Sequence, residues 1–238
     1  MGNIHGEGLT QASQEASSIA LLAESLIPQP DLTWTVSSEV LADPGDTFVL
    51  IKKLGLTGSE EDGGESGIGW CIPRRFDAIL PTRLRSVTER EIDAARDLEV
   101  GMHLKDFGKD ASVVVEGIVE NPDGSGAILL KSHRPQKSPD KEPLRYVYGI
   151  NVRAGQQRGV TVVEGTMRAV NAGPILRAIG PSADRKAINL LTEGLTEYLN
   201  PKEARRMAIQ RTKRHAGYAA AAGVGLVGWR LLQNRSTS

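Results

Sequence analysis

The chain has 238 residues, enough for one sizeable core or one domain with appendages. Lysine plus arginine and aspartate plus glutamate both number 29, so the formal net charge is zero, which excludes the basic surplus of a dedicated nucleic-acid binder. Aromatic residues make up 4% of the chain, too few for a base-stacking surface, and the single cysteine, Cys71, rules out an intramolecular disulfide and fits a reducing, cytoplasmic compartment.

Residues 1–30 read as a leader. Met1–Gly8 carries no basic region and no apolar run follows it, so a secretory signal is not expected. Residues 11–26 hold a weak helical pattern through Ala16, Ile19, Leu22, Ala23 and Leu26, stopped by Pro28 and Pro30. Such a helix can dock on the body or stand free, and the pattern does not choose.

The folded domain is expected over residues 31–200. Thr33–Val40 alternates, with Trp34, Val36, Ser38 and Val40 on one face, which predicts a half-buried strand. Asp43 and Pro44 supply an N-cap and a first-turn proline for a short helix through Leu54. Thr57–Gly67 is acidic and rich in glycine and serine, a loop without apolar period. Trp70, Cys71 and Ile72 restore apolar character, and Arg74–Leu84 reads as helical or irregular around Pro81. Thr88 with Glu91 forms a capping-box signature for a short helix to Arg96.

From Val100 the pattern becomes that of strands. Ser112–Glu120 and Ala127–His133 flank the turn chemistry Asn121-Pro122-Asp123-Gly124-Ser125-Gly126, which predicts a hairpin. After a polar loop at Pro135–Pro143, Leu144–Arg153 sets Leu144, Tyr146, Tyr148, Ile150 and Val152 on one face. Gly155–Arg158 turns the chain into a last strand, Val160–Val170. Hairpins without intervening helices mean an antiparallel sheet. Gly117, Gly149 and Gly165, interior to strands, predict bends that curl it into a concave surface. Pro174–Ile179 reads as a turn or two of helix kinked at Gly180-Pro181, and Ser182 caps a long amphipathic helix ending at Asn200-Pro201. Ala187, Leu190, Leu191, Leu195, Tyr198 and Leu199 form its apolar side. That helix buries its stripe by lying across the concavity.

This order of elements resembles the START/polyketide-cyclase (SRPBCC) superfamily of helix-grip folds. The resemblance is carried by Val36–Leu54, Leu98-Glu99-Val100-Gly101, Leu144–Val170 and Pro174–Leu199, and covers roughly Thr33 to Leu199. It implies an α+β fold, a curved antiparallel sheet wrapped around a long C-terminal helix, with helical extensions at both ends. It also implies a cavity between helix and sheet of the kind used across the superfamily for lipids, sterols, polyketides or other apolar molecules. A topology cannot name the ligand.

Motifs for chemistry are sparse. His5, His103, His133 and His215 are scattered without metal-ligand spacing, so no metal and no cofactor is expected, and no nucleophile elbow, Walker loop or dinucleotide fingerprint occurs. No catalytic residue is assigned. Glu116 and Glu164 are the strand-borne carboxylates, and both alternate against the Val/Gly face, toward the outer side of the sheet. For a ligand site the candidates are Tyr146 and Tyr148 as walls, each with an apolar body and a hydroxyl, Trp70 as a third wall, and Arg74 or Arg134 as polar groups at a mouth. The tyrosines suit a packed core equally well.

Residues 201–238 read as a basic helix plus a short apolar tail. Lys202, Arg205, Arg206, Arg211, Lys213 and Arg214 face one acid, Glu203, and precede the uncharged run Ala216–Trp229. The run falls short of the roughly 20 apolar residues of a full span, so residues 215–232 are a candidate weak tail anchor or membrane-surface segment, the alternative being an amphiphilic tail that packs on the protein or a partner or is disordered. The functional expectation is non-catalytic binding or carriage of an apolar small molecule, possible tethering included. The alternatives are a cyclase- or dehydratase-type enzyme acting on a ketone-bearing substrate through cavity acids or tyrosines, and a module whose groove has filled in.

Overall fold

The computed structural model describes residues 19–54, 71–73, 85–87, 89–105, 112–133, 142–207 and 209. The expected loop at Thr57–Gly67, the segment Arg74–Leu84, Trp70, Arg134, most of the Pro135–Pro143 loop and the apolar tail lie outside them. In chain order the elements are α1 (residues 19–26), β1 (Leu32–Val40), α2 (Pro44–Leu54), β2 (Cys71–Pro73), β3 (Arg85–Val87), α3 (Glu89–Ala94), β4 (His103–Lys105), β5 (Ser112–Glu120), β6 (Gly126–His133), β7 (Arg145–Ala154), β8 (Thr161–Val170) and α4 (Pro174–Leu199). The chain divides into two units, Met1–Asn200 and Pro201–Ser238. In the second, residues 201–207 are helical.

Six strands form one antiparallel sheet in the order β1-β8-β7-β6-β5-β4, so the first strand is hydrogen-bonded to the last. The hairpins β5–β6, β6–β7 and β7–β8 follow from the turns and loop that separate four strand-forming runs. The register of β5 on β6 shifts between Val115 and Gly117, a bulge at the first interior glycine. β2 and β3 pair in parallel as a separate two-stranded sheet, which the irregular pattern around them did not suggest.

The concave face carries Val36, Val40, Ile128, Ile150, Val152 and Val163, all buried. Two helices cover it: α2 with Phe48, Ile51 and Leu54, and α4 with Ile188, Leu191 and Leu195. α2 starts where Asp43 and Pro44 predict, with the Thr47 amide and hydroxyl both donating to Asp43 O at 3.1 and 2.9 Å. Its Lys52 is buried to 9% exposure and ion-paired to Glu120 at 2.8 Å and Asp97 at 3.5 Å. Burial alone would lower the Lys52 pKa, but the bond to Glu120 and the charges of Glu120 and Asp97 outweigh it and raise the pKa.

The middle of the convex face is also buried. Ala127, Leu129 and Val147 point away from α2 and α4 and pack against Ile19, Leu22, Ala23, Leu26 and Ile27. The leader helix therefore docks on the back of the sheet, as a third layer. Arg168, on that face of β8, donates to Ile27 O at 3.1 Å and holds the end of the leader down. This explains why β6 is apolar at consecutive positions, Ala127 to Leu130, where a sheet with one wet face would alternate.

α4 corrects the expected start and cap of the long helix. It is one helix of 26 residues from Pro174, with Gly173 as N-cap and Pro181 inside it, and Ser182 is an interior exposed residue. Proline fits helical φ but removes one backbone bond, and packing on both sides of it keeps the helix whole. Gly180 lets the Trp34 ring lie against the helix backbone, and the Arg177 guanidinium donates to Asp31 O, Ala172 O and the Asp31 carboxylate. The buried stripe is also rotated from the expected one. Thr192 and Thr196 are buried, while Ala187 and Leu190 are half-buried. Both threonines have partners on or beside β1: the Thr192 hydroxyl with Ser38 Oγ at 2.9 Å, and Thr196 Oγ1 accepting from the Leu41 amide at 3.2 Å.

Candidate functional site

Where α4 passes over β1 and β8, three side chains from three elements meet. Trp34 extends from the concave face of β1, Tyr148 from that of β7, and Asp184 from α4. The Trp34 indole Nε1 donates to Asp184 Oδ2 at 2.8 Å, and the Tyr148 hydroxyl donates to Asp184 Oδ1 at 2.7 Å. Trp34 and Tyr148 flank the same residue of the strand between them, since each is paired with Met167.

Two glycines make the meeting sterically feasible. Tyr148 must reach across β8 to touch α4, and it does so over Gly165. A β-carbon on Gly165 would lie 2.9 Å from Tyr148 Cζ. A β-carbon on Gly180 would lie 2.8 Å from Trp34 Cη2. Gly165 was expected to bend its strand; its measurable role here is space for the phenol.

The electrostatics follow from burial. Burial raises the Asp184 pKa, and the bonds from Tyr148 and Trp34 act against that rise without cancelling it. Burial pushes the Tyr148 phenol well above its ordinary value of 10.0, helped by the charge of Asp184 and by the bond itself. Among the described residues neither Asp184 oxygen has its acceptor capacity filled, since a carboxylate oxygen can take two hydrogen bonds and each has one. The arrangement can hold a ligand's polar group, or pass a proton between a phenol and a carboxylate.

The residues singled out from sequence fall as follows. Tyr148 is in this cluster. Tyr146, two residues earlier on the same face, is 8% exposed and packed in the main core. Trp70, Arg74 and Arg134 lie outside the described residues. Glu116 is ion-paired to Lys131 at 3.2 Å, and Glu164 is half-buried on the face opposite Val163 and Gly165. Among the described residues no three histidine, cysteine or carboxylate side chains are grouped to hold a metal ion. Asp184 and Trp34 were not among the candidates, although a signal existed. Asp184 shares a helical stripe with Ile188, Leu191 and Leu195, so it is a carboxylate in an otherwise apolar row.

No family model and no curated protein matches the chain. Solved structures do. A protein from Nitrosospira multiformis is similar at 12% identity and a TM-score of 0.43, over 70% of this chain and 99% of that one. A truncated norcoclaurine synthase from Thalictrum flavum is similar at 11% identity and a TM-score of 0.40, over 71% and 94%. CalU16 from Micromonospora echinospora is similar at 11% identity and a TM-score of 0.37, over 78% and 86%. Likenesses of this depth say nothing about ligand or activity. By its own topology, a six-stranded antiparallel sheet gripping the 26-residue α4, the chain is an α+β protein with a helix-grip fold.

Proposed function

We propose that this protein binds an apolar small molecule between the concave face of its sheet and α4, with the Trp34–Tyr148–Asp184 cluster as the polar end of the site. The observation that carries the reading is a partly buried carboxylate with unfilled acceptor capacity in a mostly apolar seam. Small-molecule sites have this composition: apolar walls and a few fixed polar groups. Met167 and Leu176, both half-buried against the core, supply apolar surface beside it. Tyr146 belongs to the same wall in this reading, with Trp70 as a further wall and Arg74 and Arg134 at the mouth. Native mass spectrometry of the protein purified from its own cells is the test. Co-purifying cargo that a fluorescent lipid displaces supports binding; a protein that is always empty and takes up no probe refutes it.

One observation favours a second reading, that of an enzyme. Asp184 and Tyr148 form a carboxylate–phenol pair able to move a proton to or from a bound ketone. Deuterium uptake at the carbon next to the carbonyl of an apolar ketone, followed by NMR, decides it. Catalysed exchange that Asp184→Asn abolishes supports an enzyme, and exchange at the uncatalysed rate leaves a carrier.

The basic stretch 202–214 and the uncharged run 216–229 support attachment of the tail to a membrane surface. Among the described residues no helix is long and apolar enough to cross a membrane. Deleting residues 215–238 should move the protein from the membrane pellet to the supernatant, and an unchanged distribution removes the attachment.

A further inference from the structure

Resting on the binding reading above, we infer that the ligand presents a protonated amine on an apolar body, its N–H groups received by Asp184 and the Tyr148 oxygen. The inference comes from counting donors and acceptors. An indole can only donate, and Trp34 spends its one proton on Asp184 Oδ2. A phenol has one proton, and Tyr148 spends it on Asp184 Oδ1. What remains toward a ligand is lone pairs, on both carboxylate oxygens and on the phenol oxygen.

The cluster also carries an uncompensated charge. Asp184 has two hydrogen-bond partners, both neutral, and no cationic side chain among the described residues pairs with it. A carboxylate drawn out of water without a counter-charge is unfavourable, and its raised pKa expresses this. A cation restores the balance. Asp184 is only half-buried, so a head group can reach it from the α4 side. A carboxylate ligand would meet like charge and no free donor. A ketone or ether would likewise find no proton offered, and an alcohol would make one hydrogen bond without relieving the charge. Of the heads compared the ammonium alone satisfies both conditions, and hydrogen bonds to charged groups are roughly twice as strong as neutral ones.

The experiment is a head-group series on one rigid apolar body: 1-adamantylmethylamine, 1-adamantylmethanol and 1-adamantanecarboxylate, titrated calorimetrically into the full chain near neutral pH. The expected order is amine, alcohol, carboxylate, with the amine tighter than the alcohol by about tenfold, the factor that corresponds to ~1.4 kcal/mol. Asp184→Asn keeps the shape and removes the charge, and should erase most of the amine's advantage over the alcohol. Three heads bound within about threefold on the unmodified protein, less than ~0.7 kcal/mol, overturn the ammonium assignment and leave the binding reading intact. So does a native cargo that lacks a basic nitrogen. An empty native protein that binds none of the three overturns both.

Discussion

The hydroxyl of Tyr148 occupies the volume that a side chain at Gly165 would need, even though the two residues belong to adjacent strands of one sheet. The glycine is thus part of the cluster without touching Asp184. Gly165→Ala must displace the phenol and break its bond to Asp184, and is expected to cost about 2 kcal/mol, the range for overpacking a core. Urea denaturation measures it. In a Tyr148→Phe background the same substitution should cost less, because the oxygen, the closest atom, is gone. Equal costs in both backgrounds would refute the coupling.

Gly180→Ala sets two effects against each other. Alanine improves helix propensity by about 1 kcal/mol over glycine. The new methyl would lie 2.8 Å from Trp34 Cη2 and 3.1 Å from Leu176 Cδ1. The indole is fixed by its strand and by its bond to Asp184, so it cannot yield cheaply. The expected result is net destabilisation by roughly 1–2 kcal/mol with altered Trp34 fluorescence. A stabilised variant would show that the indole is free to move.

Stability should fall as pH rises across two windows. The folded Asp184 pKa is raised above 3.8, so between that value and its folded pKa the folded chain holds a proton that the unfolded chain has lost. Its stabilising contribution is complete below 3.8 and is lost as pH rises through the folded pKa. Tyr148 behaves likewise from 10.0 upward, where the unfolded phenol ionises and the folded one does not. Urea midpoints across pH for the natural protein and Asp184→Asn test the first window. The variant should lack that share of the slope, and parallel curves would contradict the assignment.

The leader is structural where it is docked. Ile27 is buried against the convex face, and Ile27→Asp puts a charge in that seam. A loss of about 2–4 kcal/mol is expected from removed burial plus the unpaired carboxylate. Dye binding to newly exposed apolar surface should rise in step. A variant as stable as the parent, with no added dye binding, would mean that the leader contributes nothing to the fold.

Much of this fold could be read from the sequence, because its main signals are periodic. Alternation in Thr33–Val40, Leu144–Arg153 and Val160–Val170 fixed which residues face inward, Trp34 and Tyr148 among them. Departures arose where long-range contacts outweigh local preference. Pro181 is a helix breaker by propensity, yet packing around Gly180 and Arg177 carries α4 through it. The consecutive apolar residues of β6 fit two covered faces, but the weak pattern of residues 11–26 leaves the docking of the leader open, and its contacts settle it. Thr192 and Thr196 read as polar positions because their partners, Ser38 and the Leu41 amide, lie at the other end of the domain. The cluster stayed hidden for the same reason. Nothing near Asp184 in sequence shows that a phenol and an indole converge on it.

The pairing of β1 with β8 bears on how the protein is made. Leu32–Val40 leaves the ribosome before every other strand of the sheet and has no hydrogen-bonding neighbour there until Thr161–Val170 follows, and no cover for Trp34 and Ser38 until α4 is complete. The intervening hairpins can form from local contacts, but the sheet cannot close at its β1 edge before nearly the whole domain has been synthesised. Such closure is slow, because chain entropy must be overcome before the distant contacts form. During that interval the exposed inner face of β1 is a natural client for a chaperone. A nascent chain arrested ahead of α4 should be protease-sensitive at its N-terminal strand, and one arrested well beyond Asn200 should be resistant there.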